Sequence, residues 1–123
     1  MENKKTARNF RDYPVWQQAV EYATKIYQKT TEMPYFEKKG LCDQLQRAVV
    51  SISSNIAEGS ARPSDSDFTY FLDKALGSAY GVETQLLISK NIEYINLEIY
   101  EQLHDDIISI KKLLGVFICA IRK

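Results

Sequence analysis

The sequence contains few of the residues on which disulfide-rich, metal-binding and phosphate-binding proteins depend. Its 123 residues include two cysteines, three prolines, five glycines and one histidine. Cys42 and Cys119 both fall in predicted helices, where a thiol in a reducing compartment is usually a small buried hydrophobe. A Cys-x-x-Cys pair for zinc and a glycine-rich phosphate loop are both missing. The sequence therefore predicts no metal, no cofactor and no small-molecule substrate.

Long apolar runs and an excess of one charge are also missing. No uninterrupted apolar run reaches the roughly 18 residues that a membrane span requires. The basic N-terminus, MENKKTARNF, is not followed by the apolar stretch of a secretory signal. We therefore expect no membrane partner and a cytoplasmic location. The 16 basic residues balance the 16 acidic ones, which argues against a dedicated duplex-DNA binder but leaves room for a local basic patch.

Helical periodicity is what the sequence does contain. Apolar residues recur at steps of three and four in four segments, and no segment alternates as a β-strand does. Short connections between four long helices predict an all-α fold, an antiparallel up-down-up-down four-helix bundle. We expect this single domain to span residues 12–123, after a flexible basic tail at residues 1–11.

Capping residues and prolines set the expected helix boundaries. Pro14 suits the first turn of a helix, and Gly59 is expected to be the C-terminal cap residue of helix two. The predicted ranges are, in order, Asp12 or Tyr13 to Met33, about Glu37 to Glu58, the cap Ser64 to about Lys90, and the cap Asn96 to the C-terminus. Helix four has the clearest heptad seam, made of Tyr100, Leu103, Ile107, Ile110, Leu114, Phe117 and Ile121.

Helix two carries a polar row beside its apolar face. The row consists of Gln44, Arg47, Ser51, Asn55 and Glu58. Serine and asparagine are mediocre helix formers, because their side chains compete for backbone hydrogen bonds. Their presence in the middle of a helix indicates side chains that bond a specific group or lie close to another backbone.

Glu83 lies inside the apolar arc of helix three. An ionised carboxylate that points at a core costs several kcal/mol unless it is paired and hydrogen-bonded. The sequence therefore predicts an Arg47–Glu83 pair flanked by the polar row, and Arg62 as the cationic neighbour of Glu58. We interpret the set as an internal structural network; a ligand-binding or catalytic role and an exposed or inter-subunit row are the alternatives.

Candidate catalytic arrangements are incomplete. A ferritin-like di-metal bundle needs two Glu-x-x-His motifs, whereas this chain has one, Glu101-x-x-His104, which projects away from the heptad seam. The serines of the SISS stretch have no histidine near them in sequence to act as a base. The prediction is that the protein is not an enzyme.

Helices three and four each have a second apolar face. An exposed glycine within a helix costs roughly 1 kcal/mol of stability relative to alanine. Two glycines, Gly77 and Gly81, on one face of helix three are therefore expected where the backbone of another element lies close to that face. Residues 113–121 (LLGVFICAI) contain no charge. The predicted oligomer interface consists of Tyr70, Gly77, Gly81, Ile88, Ile108, Val116 and Cys119. The alternative is a set of scattered surface hydrophobes, which are normal on proteins.

Six motifs over nearly the whole chain carry a family resemblance. They are Phe10-x-x-Tyr13-x-Val15-Trp16, Pro34-x-x-Glu37-x-x-Gly40-Leu41, Gln44-Leu45-x-Arg47-Ala48, Ser51-Ile52-x-x-Asn55-Ile56-Ala57-Glu58-Gly59, Phe71-Leu72-x-x-Ala75-x-Gly77-Ser78 and Glu83-x-Gln85-Leu86. With these motifs the chain resembles the bacterial four-helix bundle proteins called 23S rRNA intervening-sequence proteins. It departs from the family pattern at Ser53, where a proline is common, and at Gly81, where an acidic residue is common.

The resemblance implies a small, non-enzymatic bundle that assembles into rings, by analogy pentamers. It also implies a distant similarity to the accessory variability-determinant protein of diversity-generating retroelements, which binds nucleic acid and a reverse transcriptase. We therefore expect a homo-oligomeric adaptor or scaffold with RNA as a candidate partner. The candidate nucleic-acid contacts are Lys4, Lys5, Arg8 and Arg11. A protein-only interaction module, in which these residues form a solvated arm, is the alternative.

Overall fold

The structure of the protein, a computed structural model, describes residues 8–31 and 40–123. The four helices are α1 (Pro14–Thr30), α2 (Leu41–Ser60), α3 (Asp65–Asn91) and α4 (Leu97–Arg122), and a 3₁₀ turn at Phe10–Asp12 precedes them. No β-strand occurs in these two ranges. The predicted all-α, four-helix fold is therefore confirmed.

The helices are antiparallel neighbours around one core. Within the described ranges, α1 packs against α2 and α4, and α3 packs against the same two helices from the opposite corner. Contacts run in opposite order along α3 and α4, where Lys90 lies over the Tyr100 ring while Asp73 pairs with Arg122. They also do so along α2 and α3, where Ser78 bonds Ser51 while Phe71 lies against Gly59. The heptad seam contributes Leu103, Ile107, Ile110 and Leu114 to the buried core, as predicted.

Local side chains begin the helices where the sequence predicts. Tyr13 is the N-cap of α1, with Pro14 in the first turn. The Ser64 hydroxyl accepts a hydrogen bond from the Asp67 amide at 3.0 Å, and the Asn96 side-chain oxygen Oδ1 accepts one from the Ile99 amide at 2.8 Å. The Ser64 and Asn96 side chains each satisfy an amide that has no partner within its own helix.

The predicted role of Gly59 is wrong. Helix α2 continues through Ser60 and ends at its cap residue Ala61. Gly59 is buried, and a Cβ atom added to it would lie 2.7 Å from the Cβ of Phe71. A glycine is therefore needed here because α3 approaches the α2 backbone, and not because the helix ends. The expected helix boundaries at Met33 and Glu37 lie outside the described residues.

Candidate interaction surfaces

Two residues of the predicted polar row form a hydrogen-bonded cluster where α2 meets α3. The Asn55 amide nitrogen donates to the Ser51 carbonyl at 2.8 Å and to the Ser51 hydroxyl at 2.9 Å. The Ser78 hydroxyl of α3 donates to the Ser51 hydroxyl at 2.9 Å. Asn55 is buried, and its bonds compensate for the removal of its amide from water. The prediction missed Ser78, although it stands in one of the six motifs.

The predicted Arg47–Glu83 pair is wrong. Arg47 donates to Asp43, one turn earlier in α2, at 2.9 Å, and 79% of its side chain is exposed. Gln44 and Glu58 are also exposed. Because the side chains of Ser51 and Ser78 are small, α2 lies close to α3 along the Ser51 side of the row. The longer side chains of the row therefore point into solvent. Three of its five residues therefore lie outside the cluster.

The predicted Glu58–Arg62 contact is not made either. No ion pair joins these two side chains in the part of the chain that the structure describes. The guanidinium of Arg62 lies instead over the Phe71 ring, 4.7 Å from its centroid. Arg62 follows the end of α2, where the backbone turns toward α3, and this direction brings its side chain to the first turns of α3.

Glu83 has its partners on α4. Lys111 Nζ lies 2.5 Å from one carboxylate oxygen, and His104 Nε2 lies 3.7 Å from the other. The hydrogen bond from Lys111 is the main cause that lowers the pKa of Glu83, against the opposing effect of burial. The Lys111 ammonium also lies over the Tyr80 ring at 4.3 Å. A third of the Glu83 side chain is exposed, so this group lies at the rim of the core and not inside it.

The described residues do not assemble a metal site. No group of three or more His, Cys, Asp or Glu side chains among them could hold an ion. His104, the one histidine, approaches the carboxylates of Glu83 and Asp105, while Glu101 is exposed.

Among residues 8–31 and 40–123, no helix is long and apolar enough to cross a bilayer.

The outer face of α3 is exposed as predicted. Tyr70 is 58% exposed and Ile88 is 44% exposed. The positions that a Cβ would occupy at Gly77 and Gly81 have no atom within 4 Å. The bundle itself therefore does not require glycine at either position, in contrast to Gly59.

The outer side of α4 carries two adjoining depressions. One, of about 280 Å³, is an apolar groove against α1 lined by Tyr13, Pro14, Val15, Leu113, Val116, Phe117 and Ala120. The other, of about 450 Å³, is lined by Asp105, Ile108, Ser109, Lys112 and Leu113. Val116 is 70% exposed, Cys119 is exposed and Ile108 is half-buried. Leu113 borders both depressions, so together they follow α4 for several turns.

The two predicted nucleic-acid contacts that the structure describes differ in their surroundings. Arg8 donates to Asp65 at 2.5 Å and to the Arg62 carbonyl at 2.6 Å, and lies over the Phe68 ring. These contacts bind Arg8 to the bundle, contrary to the expectation of a free arm there. Arg11 lies over the Phe10 ring and has no carboxylate partner among the described residues. Lys4 and Lys5 lie outside the described residues.

Comparison with known proteins identifies the family. Residues 11–116 match the model of the 23S rRNA-intervening sequence protein family. This chain belongs to that family. A similar solved structure is a protein with unknown function from the S23 ribosomal protein family of Bacteroides thetaiotaomicron, which is 32% identical. The match covers 85% of this chain and 94% of that one, with a TM-score of 0.77. Comparison with curated proteins gives no match.

Membership of the 23S rRNA-intervening sequence protein family confirms the resemblance that the six motifs indicate. At the first departure from the family pattern, the Ser53 hydroxyl donates to the Val50 carbonyl at 3.2 Å. Helix α2 continues through this position without interruption. A serine at residue 53 keeps its backbone amide, which a proline lacks, so nothing there breaks the helical hydrogen-bond pattern.

Proposed function

We propose that this protein is a non-enzymatic, homo-oligomeric adaptor that self-associates through the outer faces of α3 and α4. The observation that carries the proposal is the exposure of Tyr70, Ile88 and Val116 outside a closed core. A large patch of apolar side chains exposed on the surface of a soluble protein marks an interaction site. Homo-oligomers are the commonest assemblies of soluble proteins, so a second copy is the first partner to consider.

The glycines of α3 support self-association over chance exposure. A glycine inside a helix costs roughly 1 kcal/mol relative to alanine, because it orders a more flexible backbone. Gly77 and Gly81 contact nothing in the bundle that would require this cost. A neighbouring backbone that lies against the helix would require it, because only glycine has no side chain to hold the two apart.

The ionisable groups at the rim support the non-enzymatic part of the proposal. Glu83, whose pKa is lowered mainly by the hydrogen bond from Lys111, is engaged by Lys111 and His104. A general base must instead reach a substrate proton with a free lone pair. No hydrogen bond within residues 8–31 and 40–123 joins a serine or cysteine to His104, whose imidazole approaches the carboxylates of Glu83 and Asp105. The arrangement therefore fits an architectural ion pair.

Light scattering after size exclusion tests the proposal. Wild-type protein at micromolar concentration is expected to have a mass several times that of one chain. A double variant with one charge on each outer face, Gly81→Asp with Val116→Asp, is expected to be monomeric and still helical. Ser54→Asp, on an exposed position of α2, is the matched control and is expected to keep the wild-type mass. A monomeric wild-type protein would contradict the proposal.

RNA binding is the second candidate function. Arg11, Arg62 and Lys74 have no carboxylate partner among the described residues, and each cation lies over an aromatic ring. Arginine and aromatic side chains together suit a nucleic-acid backbone and its bases. Oligomerisation would bring several copies of this basic group together.

A mobility-shift titration with a structured RNA separates an RNA-binding adaptor from a protein-only module. Binding that weakens with salt and with Arg11→Gln plus Arg62→Gln would support the first. Arg47→Gln is the matched control, since Arg47 is also exposed but lies near the N-terminus of α2. Absence of a shift at low salt would favour the protein-only module.

A further inference from the structure

A corner at one end of the bundle presents three groups that suit an arginine side chain. It lies where the turn after α2 meets the first residues of α3, and it consists of the Arg62 carbonyl, the Asp65 carboxylate and the Phe68 ring. A carbonyl and a carboxylate can accept hydrogen bonds from the two terminal nitrogens of a guanidinium, and an aromatic ring attracts its cationic plane. Arg8 makes these three contacts, at 2.6 Å, 2.5 Å and 4.7 Å respectively. The groups that recognise the guanidinium therefore belong to the bundle, and the arginine comes from the N-terminal segment.

The corner encloses Arg8 more than it encloses the carboxylate. The Arg8 side chain is 18% exposed, whereas the Asp65 side chain is 72% exposed. A lysine would supply the same charge, but its ammonium lacks the planar fork that reaches two acceptors at once and lies flat on a ring. The corner therefore suits the shape of a guanidinium as well as its charge.

The segment that carries this arginine has few other contacts with the bundle. Residues 8–12, the strap, include the 3₁₀ turn and contain no buried residue. On the α1 side, Phe10 lies edge-on to Trp16 at a centroid distance of 5.0 Å, and the Arg11 carbonyl accepts a hydrogen bond from the Gln17 side chain at 2.8 Å. Segments with few buried apolar contacts open at a lower free energy than the core does. The arginine contacts are therefore the ones that hold the strap across the end of the bundle.

We infer that the corner is an arginine-binding site that fastens the strap reversibly to the end of the bundle. In the closed position, the Arg8 guanidinium covers the Phe68 ring. Release of the strap uncovers this ring and the Asp65 carboxylate, so that the site can accept a different arginine. The hydrophobic core contains no residue of the strap, so release leaves the four helices packed. The inference does not depend on the proposed self-association, because these contacts lie within one chain.

Residue-resolved hydrogen exchange on the full chain measures whether the strap opens by itself. The amides of Asp12 and Tyr13 donate hydrogen bonds to strap carbonyls at 3.0 Å each, and a detached turn this short does not keep such bonds in water. Both amides are therefore expected to exchange faster than the amide of Ile107, whose side chain is fully buried in the core. Equal protection of the three amides would show that the strap opens only when the bundle unfolds, and would overturn its reversible release.

Substitutions at the corner test the site itself. Arg8→Gln and Asp65→Asn are each expected to speed exchange of the two strap amides about tenfold, because each removes an ion pair that contains a strong hydrogen bond. The Ile107 rate is expected to stay unchanged. Arg11→Gln and Asp67→Asn are the matched controls, since Arg11 lies in the same strap and Asp67 lies in the same first turn of α3. Both controls are expected to exchange as the wild type does.

Arg8→Lys separates recognition of an arginine from attraction of a charge. This variant is also expected to speed exchange of the strap amides, by a smaller factor, because an ammonium does not reach both acceptors. Wild-type protection in Arg8→Lys would overturn the preference for arginine. Wild-type protection in Arg8→Gln, or equal acceleration in the two controls, would overturn the site.

Discussion

The two seams that hold α3 in the bundle are built on different principles. Toward α2, the contact is made by small residues: Gly59 lies against Phe71, and Ser78 donates a hydrogen bond to Ser51. Toward α4, long charged side chains meet at the rim, where Lys111 pairs with Glu83 and Arg122 pairs with Asp73. The first seam is fixed by steric fit, and the second adds ion pairs that water still reaches.

The difference indicates where each seam tolerates change. Close-packed interiors respond to the addition of a single carbon atom, because neighbouring atoms have no space to move into. Partly exposed ion pairs contribute little, because water already solvates both charges well. We therefore expect substitutions in the α2–α3 seam to cost more stability than substitutions in the α3–α4 seam. All stabilities are compared at one protein concentration, since the proposed self-association would add to apparent stability.

Gly59→Ala is expected to have the largest effect. The new Cβ would lie 2.7 Å from the Phe71 Cβ and 3.2 Å from the Phe68 carbonyl oxygen, and overpacking of this kind costs about 1–3 kcal/mol. Ser54→Ala, on the exposed side of the same helix, is the control, because it adds no atom and alanine is the better helix former. Urea unfolding measures both free energies. Equal effects of the same sign would contradict the steric account of the α2–α3 seam.

The positions of the two seams could be predicted only in part. The periodicity of apolar residues predicts four helices, and the caps Ser64 and Asn96 predict where two of them begin, because both signals are local. Gly59 shows the limit of local reasoning. A glycine near the end of a predicted helix suits a cap, and only the arrangement of α2 against α3 shows that Phe71 needs the space.

Contacts between side chains that are distant in sequence were harder to predict than the helices. The position of Glu83 in an apolar arc correctly indicates that it needs a cation. Both Arg47 and Lys111 are on neighbouring helices, and the choice between them depends on the rotation of each helix, which the apolar stripe fixes only broadly. The close approach at Ser51 and Ser78 turns Arg47 outward, so Lys111 takes the place predicted for it.

Ser51→Ala is expected to have the next largest effect. It removes the hydroxyl that accepts hydrogen bonds from both Asn55 and Ser78, and an unsatisfied donor at a partly buried site costs about 1 kcal/mol. The double variant Ser51→Ala with Ser78→Ala should lose less stability than the sum of the two single variants. Ser51→Ala leaves the Ser78 hydroxyl without its acceptor, and Ser78→Ala removes that unpaired hydroxyl. Ser54→Ala, on the exposed side of α2, is the control. Strict additivity in urea unfolding would show that the two hydroxyls do not interact.

Glu83→Gln is expected to destabilise the α3–α4 seam by less than about 1 kcal/mol, since the pair with Lys111 is partly exposed. The pKa of Glu83 is lowered in the folded protein, mainly by the hydrogen bond from Lys111. Its contribution is therefore complete above the ordinary carboxyl pKa and is lost as the pH falls through the lowered value. Thermal unfolding of both proteins from neutral to acidic pH should show their difference shrink. A difference that persists in acid would mean that the charge is not its cause.

Arg47→Met should have the smallest effect on stability. It tests whether a residue of α2 that lies outside the α2–α3 seam contributes to the stability of that seam. Arg47 lies on the same helix as Ser51, but its exposed guanidinium pairs with Asp43 one turn earlier. Such a pair contributes about 0.3–0.5 kcal/mol and is screened by salt. Methionine preserves the helix propensity and much of the side-chain length, so urea unfolding in high salt should not distinguish the variant from wild type. A loss above about 1 kcal/mol that survives high salt would place Arg47 in the packed seam after all.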